Sequence, residues 1–175
     1  MVSFLPHFLI LATTASLSLA GPRQALPISQ PFKITINLST GGRTTLGTDT
    51  VLSYDPRLLS ALKIVPGKTY PNYPPNLIDI DNVHGKLRFS GTVGFSPPKT
   101  AEGVFGEVFF LAKKEGQTQI NLEVKPKETT DSNIVPDFGG IDLLTEKPKE
   151  ITITAREASL GEKILNFIKQ IYLWL

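Results

Sequence analysis

Between Phe32 and Ile153, apolar side chains recur at every second position, and Gly, Pro, Asn and Asp repeatedly break the run. Successive side chains of a strand point to opposite faces, so this period marks strands that bury one face and wet the other. Phe32, Ile34, Ile36 and Leu38 alternate with Lys33, Thr35 and Asn37. Thr50, Leu52 and Tyr54 form a second such face, closed by Asp55-Pro56. Leu62 and Ile64 lead into a Pro66-Gly67 turn; Leu77, Ile78 and Ile80 make a short strand, and Leu87 and Phe89 share the face of the next. Val104–Ala112 is apolar on both faces apart from Glu107, which predicts a central strand, covered on both sides, with a bulge at Gly106. Ile120, Leu122 and Val124, then Ile151 and Ile153, complete the pattern. Burial of large apolar side chains assigns Phe32, Phe89, Phe105, Phe109 and Phe110 to the core. A set of about nine short strands without a long helical period predicts an all-β jelly-roll or immunoglobulin-like sandwich over residues 31–155.

The ends differ from this body. Residues 4–20 carry no charge and finish with Ser18 and Ala20 in the small-x-small spacing of a signal-peptidase site. Residues 1–20 therefore read as a signal peptide or N-terminal membrane anchor, or alternatively as an apolar first element of the fold. Residues 21–30 read as a Pro-containing linker. In residues 156–175, Leu160, Ile164, Phe167, Ile168, Ile171 and Leu175 fall at helical spacing, and Ser159 with Glu162 forms a capping box. This amphipathic C-terminal helix either lies in a membrane interface, with Tyr172 and Trp174 at headgroup level, or packs on protein.

Catalysis has little material. The chain contains no cysteine and only His7 and His84, which removes thiol chemistry and leaves no histidine-rich metal site. Eighteen Lys and Arg against sixteen Asp and Glu give +2, too even a balance to favour nucleic acid. Gly67-Lys68-Thr69 imitates a phosphate loop, but Leu62 stands where its first glycine belongs and Pro71 opposes a following helix. Asp79, Asp81 and Asn82 imitate a calcium loop whose sixth and twelfth positions would be His84 and Ser90, neither suited. Asp79 and Asp81 as a glycosidase pair lack any neighbour that raises one carboxyl. No cofactor is expected. Tyr70 and Tyr73, in a Pro-rich loop, either stack on a sugar or a partner or fold back over the sandwich end.

Taken in order, several segments resemble one family. Thr50–Leu59 (TVLSYDPRLL), Val65-Pro66-Gly67, Asn82–Gly91 (NVHGKLRFSG), Gly103–Ala112 (GVFGEVFFLA) and Lys114–Leu122 (KEGQTQINL) are similar to the successive signatures of cohesin modules. The resemblance implies a nine-stranded jelly roll, no catalysis, and binding of a dockerin, a small calcium-loaded helical partner, on a flat sheet face. It links the chain to polysaccharide catabolism and to scaffolding or adhesion at a cell surface. The matching strands are those around Leu77–Asp81 and Gly85–Gly91. With Leu87 and Phe89 turned inward, Lys86, Arg88 and Ser90 point outward, and Asp79, Asp81 and Asn82 lie at the approach. These six are the expected partner-binding residues, with Tyr70 and Tyr73 as outer contacts. The second expectation is a carbohydrate-binding module that holds polysaccharide through those tyrosines and a sheet face. Either reading places the protein outside the cell or on its surface, with membrane contact through the termini.

Overall fold

A computed structural model describes residues 14–125 and 130–164. Eleven strands occur in them: β1 (Ser16–Ala20), β2 (Leu26–Pro27), β3 (Pro31–Ser39), β4 (Thr45–Tyr54), β5 (Leu59–Pro66), β6 (Asp79–Asp81), β7 (Lys86–Thr92), β8 (Glu102–Ala112), β9 (Gly116–Leu122), β10 (Asn133–Pro136) and β11 (Ile151–Arg156). A four-stranded sheet runs β1-β3-β8-β5, and a larger sheet runs β2-β11-β9-β4-β7-β6 with β10 also paired to β4. All pairs are antiparallel except β11 with β2. Two antiparallel sheets packed face to face make the expected β-sandwich.

The core is the set of inward positions read from the alternation. Ile34, Ile36, Val108 and Phe110 from the smaller sheet meet Leu52, Leu87, Phe89, Ile120 and Leu122 from the larger, all buried. Phe89 stacks on Phe105 at 5.1 Å between centroids, and Tyr54 meets Phe110 edge-on at the same distance. Ring pairs of this kind add roughly 0.5–1.5 kcal/mol beyond their area burial.

A bulge in β8 makes the Phe89–Phe105 stack possible. Ile36 pairs with Gly106 but Asn37 pairs with Val104, so Phe105 is the extra residue, one position from the expected Gly106. Phe105 and Gly106 are consequently buried in succession, and the inward set shifts from odd to even numbers. A Cβ on Gly106 would lie 2.5 Å from the Phe89 ring, so only glycine admits that ring. The bulge corrects the assignment of Phe109: it faces outward, half-buried, with Lys63 Nζ 4.6 Å from its ring centre. No second layer covers that outer side of β8 among the described residues, where Val104 is exposed.

Strands β2 and β10 were not expected, and β1 matches the alternative reading of the chain's start as an apolar first element of the fold. Ser16–Ala20 pair along the whole of β1 with Ser39–Thr35 of β3, and Leu17 is buried. The sandwich therefore begins before residue 21, and a cut after Ala20 would remove an edge strand. The expected linker contains β2, whose Leu26 and Pro27 pair with Ala155 and Arg156. β10 lines the other side of β4. Leu77, expected in a strand, ends a short 3-10 turn (Pro75–Leu77) that leads into β6. A helical turn over residues 160–164 starts with the expected capping box: Glu162 N donates to Ser159 Oγ (3.3 Å), and Ser159 N to Glu162 Oε2 (2.8 Å). Phe167, Ile168, Ile171, Tyr172, Trp174 and Leu175 lie outside the described residues, as do residues 1–13 of the signal-like segment.

Candidate docking face

The outer surface of the larger sheet is laid out by register. Across β6, β7, β4 and β9, Asp81, Lys86, Ser53 and Asn121 form one row. Asp79, Arg88 and Val51 form the next, and Ser90 and Asp49 a third across β7 and β4, which ends against the buried Asn133 of β10. Strand neighbours lie about 4.8 Å apart, so each row brings its side chains into mutual reach. The inward partners Leu87 and Phe89 fix which side Lys86, Arg88 and Ser90 present, as expected.

The six expected contact residues divide by what already holds them. Asp79, Arg88 and Ser90 make no side-chain hydrogen bond or ion pair among the described residues, and neither does Asp49 beside them. Lys86 reaches Glu123 at 3.2 Å, an exposed pair that a partner can displace at little cost. Asp81 and Asn82 are already engaged within the chain. Asp81 Oδ1 accepts from Val83 N and His84 N, and Oδ2 sits 2.6 Å from His84 Nδ1. The His84 backbone N–H, then its ring, hold this carboxyl below the ordinary aspartate value. A glycosidase acid needs the opposite shift.

Asn82 is occupied by the fold itself. Its Oδ1 accepts from Ala61 N (2.8 Å) and Tyr54 Oη (2.7 Å), and its Nδ2 donates to Ala61 O (2.9 Å). The amide thus pins the β6–β7 turn of one sheet to the free edge of β5 in the other. Gly85 closes the same turn at φ 68°, where a Cβ would meet Tyr54 O at 2.1 Å.

Tyr70 and Tyr73 fold back rather than project. Tyr70 is 3% exposed, with its hydroxyl 2.6 Å from Thr45 Oγ1. Tyr73 Oη donates to Phe105 O at 3.0 Å and pairs with Thr69 Oγ1 at 2.9 Å. Burial raises the Tyr73 phenol above its usual value. Both rings pack on Phe105, at 6.2 and 5.5 Å between centroids, and so serve as a plug for that end of the core. Neither offers a platform to a sugar.

Sequence reasoning missed an apolar depression of about 300 Å3 on the same face, lined by Leu46, Asp49, Leu77, Ser90, Thr92 and Val135. Leu46 is 40% exposed, although the alternation from Leu52 would turn it inward. Val135 pairs with Gly47 and Pro136 with Thr45, which skips Leu46 and turns it outward. The face therefore combines free charges at Asp79, Arg88 and Asp49 with an apolar recess, a composition that suits a protein surface. Among the described residues, no group of three or more His, Cys, Asp or Glu could hold a metal ion.

No family model and no curated protein matches the chain by sequence. Solved structures do match. The third cohesin of ScaC from Acetivibrio cellulolyticus, solved in complex with the ScaB dockerin, aligns with a TM-score of 0.62 at 12% identity, over 82% of this chain and all of that one. The cohesin module of a family 33 glycoside hydrolase from Clostridium perfringens aligns at 0.60 and 10% identity, over 83% and 99%. A type I ScaB cohesin from Pseudobacteroides cellulosolvens gives 0.59 and 12%, over 82% and 94%. At such low identity the agreement speaks for architecture, which is the one the ordered motifs implied: this chain has the cohesin-type β-sandwich fold.

Proposed function

We propose that the protein is a non-catalytic binding module that docks a dockerin-type helical partner on the outer face of its larger sheet, through Arg88, Asp79, Ser90, Lys86 and the Leu46–Leu77 recess. The carrying observation is that this face, on a cohesin-type fold, leaves charged side chains uncommitted beside apolar surface. Structural neighbours include cohesins solved with dockerins bound. We place its work in scaffolding or adhesion outside the cell, as the apolar start of the chain suggests. A sugar-binding role loses its support with the burial of Tyr70 and Tyr73.

Calorimetric titration of the full chain against a panel of calcium-loaded dockerins tests this reading. At least one should bind, and Lys86→Glu with Arg88→Glu should weaken that binding more than about tenfold, or about 1.4 kcal/mol, with the melting temperature unchanged. Absence of binding across the panel, or an indifferent double variant, refutes it.

A further inference from the structure

The two ends of the sandwich differ in what they expose. At the end where β4 starts, two loops carry fully exposed phenylalanines. Phe95 (112% exposed) lies just past β7, in a turn fastened by Val93 N to Leu46 O and Ser96 N to Val93 O. Phe138 (89%) lies just past β10, after Asp137, whose N donates to Thr44 O and whose Oδ2 accepts from Thr44 Oγ1 at 2.6 Å. β7 and β10 flank β4 on its two sides and both run antiparallel to it, so their loops leave the sandwich in the same direction. Two strand spacings, about 10 Å, separate their bases. Ile141 (69%) sits in the second loop before it returns at Leu143. Arg43 and Lys99, exposed and without an ion pair among the described residues, lie beside them: Lys99 pairs with Thr45, and Arg43 N bonds Thr40 O.

The polypeptide also enters the fold at this end. Ser16 pairs with Ser39, the last residue of β3 before the turn that leads to Thr45. Everything upstream of Thr14 is therefore attached here, and it includes the uncharged apolar run FLPHFLILA. Large exposed apolar groups at loop tips are costly in water and mark a contact surface. Aromatic and aliphatic side chains flanked by cations, next to an apolar chain segment, match the chemistry of a bilayer interface. We infer that this end of the sandwich rests on a lipid bilayer, with Phe95, Phe138 and Ile141 entering the interfacial layer and Arg43 and Lys99 facing the headgroups. The larger sheet's docking rows then stand alongside the membrane normal, open to a partner approaching from the side. The inference stands apart from the docking reading, because Phe95, Phe138, Ile141, Arg43 and Lys99 are not among the residues proposed to meet the partner.

The opposite end supplies the control. Val83 is 80% exposed in the β6–β7 turn, and residues 160–164 lie past β11 at that end, with Leu160 and Ile164 exposed. A bilayer bound through the C-terminal segment would bring that end to the lipid instead. The full chain carrying Trp174→Phe is given one tryptophan, as Phe95→Trp, Phe138→Trp or Val83→Trp, and mixed with vesicles of 3:1 phosphatidylcholine and phosphatidylglycerol whose acyl chains are brominated. Emission should fall at least about twofold at positions 95 and 138, since interfacial apolar groups sit roughly 5–10 Å deep, and stay unchanged at 83. Quenching at 83 alone, equal quenching at all three, or a chain that remains free of the vesicles overturns the inference.

Discussion

The amide of Asn82 allows the sharpest separation of a structural role from a contact role. Replacing it by alanine removes three hydrogen bonds: it leaves Ala61 N and Ala61 O without their partner and the Tyr54 hydroxyl with only the long 3.5 Å contact to Asp81 O. Ala61 belongs to β5, whose other side is paired to β8, so the lost bonds face the open edge of that sheet. These groups are part-buried, so water replaces some of the interaction, and each loss costs about 1 kcal/mol, giving about 3 kcal/mol in total. For a domain of this size the melting temperature should fall by about 6–12 °C. Urea denaturation of Asn82→Ala beside wild type reads the free energy, and titration with a bound dockerin reads the contact role. The structural assignment expects a lower midpoint with affinity changed less than about threefold below it. A loss under about 1 kcal/mol together with more than tenfold weaker binding would show that Asn82 serves the partner and not the fold.

Two further outcomes follow from the packing and the ion pairs of the sandwich. Gly106→Val places branched carbon where the Phe89 ring lies 2.5 Å from a mere Cβ, so the Phe89–Phe105 stack must open. Overpacking of this kind costs about 1–3 kcal/mol in urea denaturation, and an unchanged midpoint would disprove the tight approach. The second concerns acid. The Arg57 side chain, then its backbone N–H, lowers the Asp55 carboxyl to about 2 from 3.8. The unfolded chain takes up this proton first as pH falls, so the contribution is complete above about pH 4 and disappears toward pH 2. Wild type should lose more melting temperature than Asp55→Asn across that interval, and parallel pH profiles would contradict the assignment.

The readable part of the fold was that governed by a strict period of two. Ile34, Ile36, Leu52, Leu87, Phe89, Ile120 and Leu122 each fell inside where the alternation put them. Phe109 did not, and the same alternation carried back from Leu52 to Leu46 would also fail, because bulges at Phe105 and opposite Val135 shift the count by one residue, and a one-residue shift exchanges faces. β1 was ambiguous for a different reason: Leu17 and Leu19 between serines satisfy both an export signal and a short half-buried strand. On the outer face of the larger sheet, the orientation of Lys86, Arg88 and Ser90 was legible because their inward neighbours are large and apolar. The engagement of Asn82 was not, since its partners lie 21 and 28 positions away. The tyrosines of the Pro-rich loop look like exposed aromatics until the end of the core they close is known.

The position of β1 at the rim of its sheet has an effect on assembly. Its five residues pair with β3 alone among the described strands. A molecule lacking those five residues would leave the Thr35–Ser39 edge of β3 unpaired, an open template for another extended segment. Loss of the first twenty residues would then expose that edge to pairing with a neighbouring molecule, the hazard that an uncovered sheet edge carries.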